Sequence, residues 1–121
     1  MNIEQAIEPC PIHKKSCIST IDTDHSHAIP PLKYSISEEK LMRKLTDAVN
    51  STAGSHILRI DDHSLHCQFR TKVMKFTDKA AFVLDREKKL IHFKSESTKG
   101  YYDFGVNRKR MNALLQKLTN I

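Results

Sequence analysis

In the run Leu65-His66-Cys67-Gln68-Phe69-Arg70-Thr71-Lys72-Val73, apolar and polar positions alternate. Leu65, Cys67, Phe69, Thr71 and Val73 fall on one side, and His66, Gln68, Arg70 and Lys72 on the other. A period of two is what a half-buried strand requires, because successive side chains leave opposite faces of a sheet. Upstream, His56-Ile57-Leu58-Arg59-Ile60 is strand-like and ends in Asp61-Asp62-His63-Ser64, a turn-rich run that predicts a hairpin into the alternating strand. Downstream, Ala80-Ala81-Phe82-Val83-Leu84 reads as a shorter, more apolar strand. Asp85-Arg86-Glu87-Lys88-Lys89 turns the chain, and Leu90-Ile91-His92-Phe93-Lys94-Ser95 runs back. Short turns between consecutive strands imply an antiparallel meander.

Helical signals flank the strands. Ser35 or Ser37 can cap a helix in which Glu38 and Glu39 favour the positive end of the dipole. Leu41, Leu45, Ala48 and Val49 share one face of it with Met42 beside them, opposite Arg43, Lys44 and Asp47. Gly54 is a natural stop, since it enters the left-handed region at no steric cost. A second helix near 105–119 carries Met111, Leu114, Leu115 and Leu118 on one side. Between strands and helix, Glu96 to Gly105 is a polar loop with two glycines. Before the first helix, Ile29-Pro30-Pro31-Leu32-Lys33-Tyr34 is extended, because proline fixes its own φ and biases its predecessor; a short edge strand is expected. Residues 1–28 show neither periodicity and read as an irregular arm with at most a short strand or two pinned to the body. The expectation is an α+β fold: a four-stranded antiparallel meander with two helices on one face, in the order β-α-β-β-β-β-α, over residues 29–121. A TATA-binding-protein-like half-unit has the same element order, a fold analogy that says nothing about DNA.

The chain has 121 residues, 39% of them apolar, which suits one compact core. No stretch approaches the roughly 20 apolar residues that cross a bilayer. The start, Met1 to Glu8, lacks a basic region followed by an apolar one, so the cytosol is the expected compartment. There, Cys10, Cys17 and Cys67 would all be thiols, and three cysteines are too few for a disulfide scaffold. The net charge of +6 is compatible with an anionic partner. It is spread along the chain, with no basic run longer than Arg108-Lys109-Arg110, and solubility alone accounts for such a spread.

The run Gly100-Tyr101-Tyr102-Asp103-Phe104-Gly105-Val106-Asn107-Arg108-Lys109-Arg110 resembles the closing signature of the domain-of-unknown-function family 1499, a Gly-Tyr-x-Asp-x-Gly-x-Asn-x-x-Arg pattern after a serine-bearing strand end. Ser95 and Ser97 match those serines, and Lys94 stands where arginine is expected. His27-Ala28-Ile29-Pro30-Pro31-Leu32 and Phe76-Thr77-Asp78 are similar to further motifs of the family. Cys10-Pro11 and Cys17-Ile18-Ser19 look like its opening, with Lys15-Ser16 in place of the usual Pro-Asn and one spacer residue more. The resemblance implies relatives that are often exported or membrane-tethered, and it implies no activity, so no catalytic residue carries over.

Three constellations are candidates for function. Around Asp103, the donors Lys94, Ser95, Ser97, Lys99, Asn107, Arg108 and Arg110 could surround a helix start and cradle a phosphate or carboxylate. The structural alternative makes Asp103 a helix cap and the arginines ties between loop and sheet. Cys10, His13, Cys17, His25 and His27 could bind zinc, but the spacing matches no strong template, so no metal or other cofactor is expected. The outward face with His66, Gln68, Arg70, Lys72, His92 and Lys94 could hold single-stranded nucleic acid. It lacks aromatic platforms, and a solvated face is the simpler reading. No G-x-S-x-G elbow, Walker loop or HExxH occurs. The expectation is a non-enzymatic binding or accessory domain with a site for a small anionic ligand. A small enzyme using the same polar cluster, or a nucleic-acid-binding module, is the alternative.

Overall fold

The computed structural model describes residues 3–71, 77–99 and 105–121. A short helix α1 (Ile3–Ala6) precedes strands β1 (Cys17–Ser19) and β2 (Leu32–Lys33), then helix α2 (Glu38–Asn50). Strands β3 (Ser55–Ile60), β4 (Ser64–Arg70), β5 (Thr77–Asp85) and β6 (Leu90–Ser97) follow, and helix α3 (Val106–Gln116) comes last. All strand pairs are antiparallel and the sheet order is β1-β6-β5-β4-β3, with β2 also on β6. The fold is therefore α+β with the expected meander, but the sheet has six strands rather than four. The two additional strands come from the chain before α2. They share the outer edge of β6 end to end, β1 beside Lys94–Glu96 and β2 beside Leu90–Ile91. Strand β2 is the short edge strand expected over residues 29–34, and β1, a run of three residues too short to show a period, is a short strand of the otherwise irregular arm.

Helix α2 begins where Ser37 accepts a hydrogen bond from the Lys40 amide at 3.2 Å, so Ser37 rather than Ser35 is the cap. Its face of Leu41, Met42, Leu45, Ala48 and Val49 packs with Met111 and Leu114 of α3 onto the inner face of the sheet. Leu65, Cys67, Phe69, Ala80, Phe82, Leu84, Ile91 and Phe93 form that face. Both helices thus cover one side, as expected from amphipathic elements that must bury one stripe. Burying each of the three phenylalanines contributes about 1.5–3 kcal/mol. Helix α2 stops at Asn50, before Gly54. That glycine, at φ +74°, shapes the entry to β3; a Cβ there would sit 2.3 Å from the Arg70 carbonyl oxygen. Cys67 is a buried free thiol of this core, pushed up to about 12 by burial, with Arg110 opposing slightly. No described helix is long and apolar enough to cross a membrane.

The other face of the sheet is only partly solvated. Helix α1 lies against β5, and Ile7 and the outward Val83 are buried outside the main core. His92, expected to be open, is buried with Nδ1 2.8 Å from the Thr20 hydroxyl of the arm. Two rows of side chains remain open across the outer face: His56, Gln68, Lys79 and Glu96, and then Arg59, His66, Ala81 and Lys94.

Candidate functional site

Period two places Ser95 and Ser97 on the inner face of β6, beneath the first turn of α3. Asn107, 1% exposed, reaches down between them. Its Oδ1 accepts from the Ser95 hydroxyl at 2.5 Å and from Arg110 Nη1 at 3.4 Å. Its Nδ2 donates to the Ser16 carbonyl and to Ser97 Oγ, both at 3.3 Å. A carbonyl can only accept, so Ser16 fixes which way the amide points. The same Ser16 carbonyl takes the Ser97 backbone N–H at 2.9 Å. One asparagine thus joins helix α3, strand β6 and the arm.

Arg110 does not turn to the serines as its first partner. Its Nη1 donates to Asp78 Oδ2 at 2.8 Å, and its guanidinium lies 4.8 Å over the Phe69 ring. Asp78 sits on the inner face because it opposes both Phe69 and Ser97, and it is 2% exposed. Desolvating this carboxylate is tolerable only because the arginine pairs with it. Arg108 goes elsewhere: Nη1 and Nη2 donate to the Ala28 and Ser26 carbonyls at 3.0 and 3.3 Å, tying α3 to the arm. Lys99 is exposed, and Asp103 lies outside the described residues. Lys94 is on the opposite face of the sheet from Ser95 and Ser97. The proposed donors are therefore divided: Ser95, Ser97, Asn107 and Arg110 share one network with Ser16 and Asp78, Arg108 braces the arm, and Lys94 looks outward.

Lys94 belongs to a second cluster. Glu96, on the outer face, meets Lys94 Nζ at 3.3 Å and Lys14 Nζ at 3.1 Å, and directly opposes Lys79 on β5. One carboxylate therefore stands among three lysines, and Arg59 adds a fourth cation in the next row. His66, beside Arg59 Nη2 at 3.0 Å, is held below the ordinary imidazole range by burial and then by that arginine, which keeps it neutral near pH 7. At the centre Ala81 is too short to fill the space between His66 and Lys94. A groove of about 140 Å³ opens there, walled by Leu58, Lys79, Lys94 and Glu96. Leu58 reaches it because the β3–β4 register shifts between Ile57 and Arg59, where two residues of β3 face one of β4. Two other hollows suit an anion less. In one, Arg86 is bound to Glu38 and Asp62 and flanked by Asp85 and Glu87. In the other, Lys44 and Lys117 donate to backbone and hydroxyl oxygens of the chain itself.

The family model described as "Protein of unknown function (DUF1499)" matches residues 6–118. The chain belongs to this family. No curated protein matches it, and no solved structure does.

The arm of this DUF1499 chain pairs two of the cysteines, which the sequence leaves free to pair or not. Cys10 and Cys17 are joined by a disulfide with a Cα–Cα distance of 5.8 Å, so their sulfurs bond each other and the supposed zinc set loses both thiolates. Its histidines are dispersed as well: His13 and His25 are exposed, whereas His27 is buried between Asp24 Oδ2 and the Lys14 carbonyl, each at 2.6 Å. The loop closed by the disulfide delivers two groups to the sites above. Ser16 supplies its carbonyl to Asn107, and Lys14 Nζ donates to the Ser97 carbonyl at 2.6 Å and to Glu96. Sequence reasoning passed over Asp78, Ser16, Lys14, Lys79 and Glu96. The alternation along β6 is the signal that separates Lys94 and Glu96 from Ser95 and Ser97; the partners contributed by the arm and β5 leave no local trace.

Proposed function

We propose that this protein is a non-enzymatic binding or accessory domain that receives an anionic partner on the outer face of its sheet. The observation that carries the reading is Glu96 alone among Lys14, Lys79 and Lys94, with Arg59 beyond. The anion site moves from the start of α3 to this face, because Ser95, Ser97, Asn107 and Arg110 are committed to one another and to Asp78. The groove supports binding over catalysis: about 140 Å³ is well below the roughly 300–1,000 Å³ of sites that enclose small molecules. No Phe, Tyr or Trp stands in the two open rows, so stacked nucleic-acid bases find no platform. The Cys10–Cys17 disulfide supports an oxidising compartment in place of the cytosol.

A labelled hexaglutamate peptide titrated into the full chain tests the reading. Binding should weaken about tenfold in Lys79→Glu and fall with added salt, while Arg108→Gln leaves it unchanged. Equal affinity for wild type and Lys79→Glu, or absence of binding at low salt, would sink it.

A further inference from the structure

The sheet ends at β3, which has no neighbour beyond it among the described residues. Alternate amides and carbonyls of such an edge face outward and can accept another strand. Ser55 to Ile60 has Arg59 and the register shift at Leu58 among the usual guards of an exposed edge, but no proline and no lysine. Instead Leu58 and Ile60 are 50% and 47% exposed, two of only four large apolar side chains so open among the described residues. The register shift at Leu58 turns that leucine from the edge onto the outer face, where it walls the groove beside Lys79 and Lys94. The edge strand therefore carries Arg59 and Leu58 on its outer face and Ile60 on its inner face.

We infer that the partner is an extended acidic peptide segment that adds to the free edge of β3, with carboxylates of one parity toward Arg59 on the outer face and apolar side chains of the other parity beside Ile60 on the inner face. The inference rests on the anion-binding reading of the outer face and gives its partner a chemistry and a geometry. Backbone pairing supplies affinity, and side chains of one parity supply specificity. Charge argues against a second copy of the chain as the occupant. Edge-to-edge pairing of two copies would extend one sheet with two cationic outer faces side by side, and like charges in register repel.

The test uses the disulfide-bonded full chain, isotope-labelled, with the blocked peptide Glu-Val-Glu-Val-Glu-Val-Glu as probe. Addition of the peptide should slow hydrogen exchange of the outward β3 amides about tenfold or more, and the same peptide with alternate amides N-methylated should bind about tenfold more weakly. Arg59→Glu should weaken the unmodified peptide about tenfold. If hexaglutamate binds in a Lys79-dependent way while the Glu-Val peptide leaves β3 exchange unchanged, the edge inference fails and the anion-binding reading of the face stands. If neither peptide binds, both fail. Protection of β3 that grows with protein concentration and needs no peptide would assign the edge to a second copy and overturn the inference.

Discussion

Asn107→Ala tests whether the inner polar network holds the fold together. The strongest bond lost is from the Ser95 hydroxyl at 2.5 Å, while those to Ser16, Ser97 and Arg110 at 3.3–3.4 Å are long. A normal hydrogen bond contributes about 1 kcal/mol net, and the long ones less. Ser16 keeps the Ser97 amide and Arg110 keeps Asp78, so those groups are not stranded. Ser95 is fully buried, and its hydroxyl, left without its acceptor, costs about 1–3 kcal/mol. The sum is roughly 3–5 kcal/mol, within the 5–15 kcal/mol that a domain typically has. With a urea slope near 2 kcal/mol/M, the unfolding midpoint should fall by about 2 M. Ser95→Ala should cost only about 1 kcal/mol, and the double variant should be about 1–2 kcal/mol more stable than additivity requires, because no hydroxyl is then left unpaired. A loss below about 1 kcal/mol for Asn107→Ala, or strict additivity in the cycle, would refute the reasoning.

Reducing Cys10–Cys17 should cost roughly 2.5 kcal/mol by the loop-entropy relation for so short a loop, read as a lower urea midpoint in dithiothreitol; an unchanged midpoint would contradict a native bond. In the oxidised chain a thiol reagent should find no thiol until unfolding exposes Cys67. Burial, and then Lys88, holds the His92 imidazole below its ordinary 6.5, with Asp85 opposing. Just below pH 6.5 the unfolded chain therefore binds more protons than the folded one, so stability is lost as pH falls from 6.5 toward the folded value. His92→Gln should flatten that slope, which urea titrations at pH 7.5, 6.5 and 5.5 would show. Asp61, held low first by the His63 amide and then by the Ser64 hydroxyl, loses its contribution only below its ordinary 3.8, in a separate window.

The elements with a clear period were legible. The alternation of β4, the capped amphipathic α2 and the turn after β5 each follow from local rules, and all appear where those rules put them. The face of Cys67 followed from the same alternation. What escaped is what only tertiary context determines. The short strands expected in the arm and over residues 29–34 are β1 and β2, but nothing local shows that both pair with β6. Asp78 ends the Phe76-Thr77-Asp78 motif, but its partner appears only when the register sets it opposite Phe69 and Ser97, where Arg110 reaches it. Two cysteines seven apart permit a bond without implying one. The alternation along β6 already separates Lys94 from Ser95 and Ser97, since adjacent strand residues face opposite ways.

The two faces of β6 make stability and binding separable in principle, and the arm couples them. Inner Ser95 and Ser97 anchor α3 through Asn107, whereas outer Lys94 and Glu96 belong to the cationic groove. The loop closed by Cys10–Cys17 serves both, with Ser16 on the inner network and Lys14 at Glu96. Ser95→Ala should then lower stability without touching hexaglutamate binding, and Lys79→Glu should do the reverse. Reduction of the disulfide should lower both, because a loosened loop withdraws a carbonyl from Asn107 and a cation from the groove together. Were reduction to change stability alone, Lys14 would hold its place without the disulfide, and the coupling through the arm would be absent.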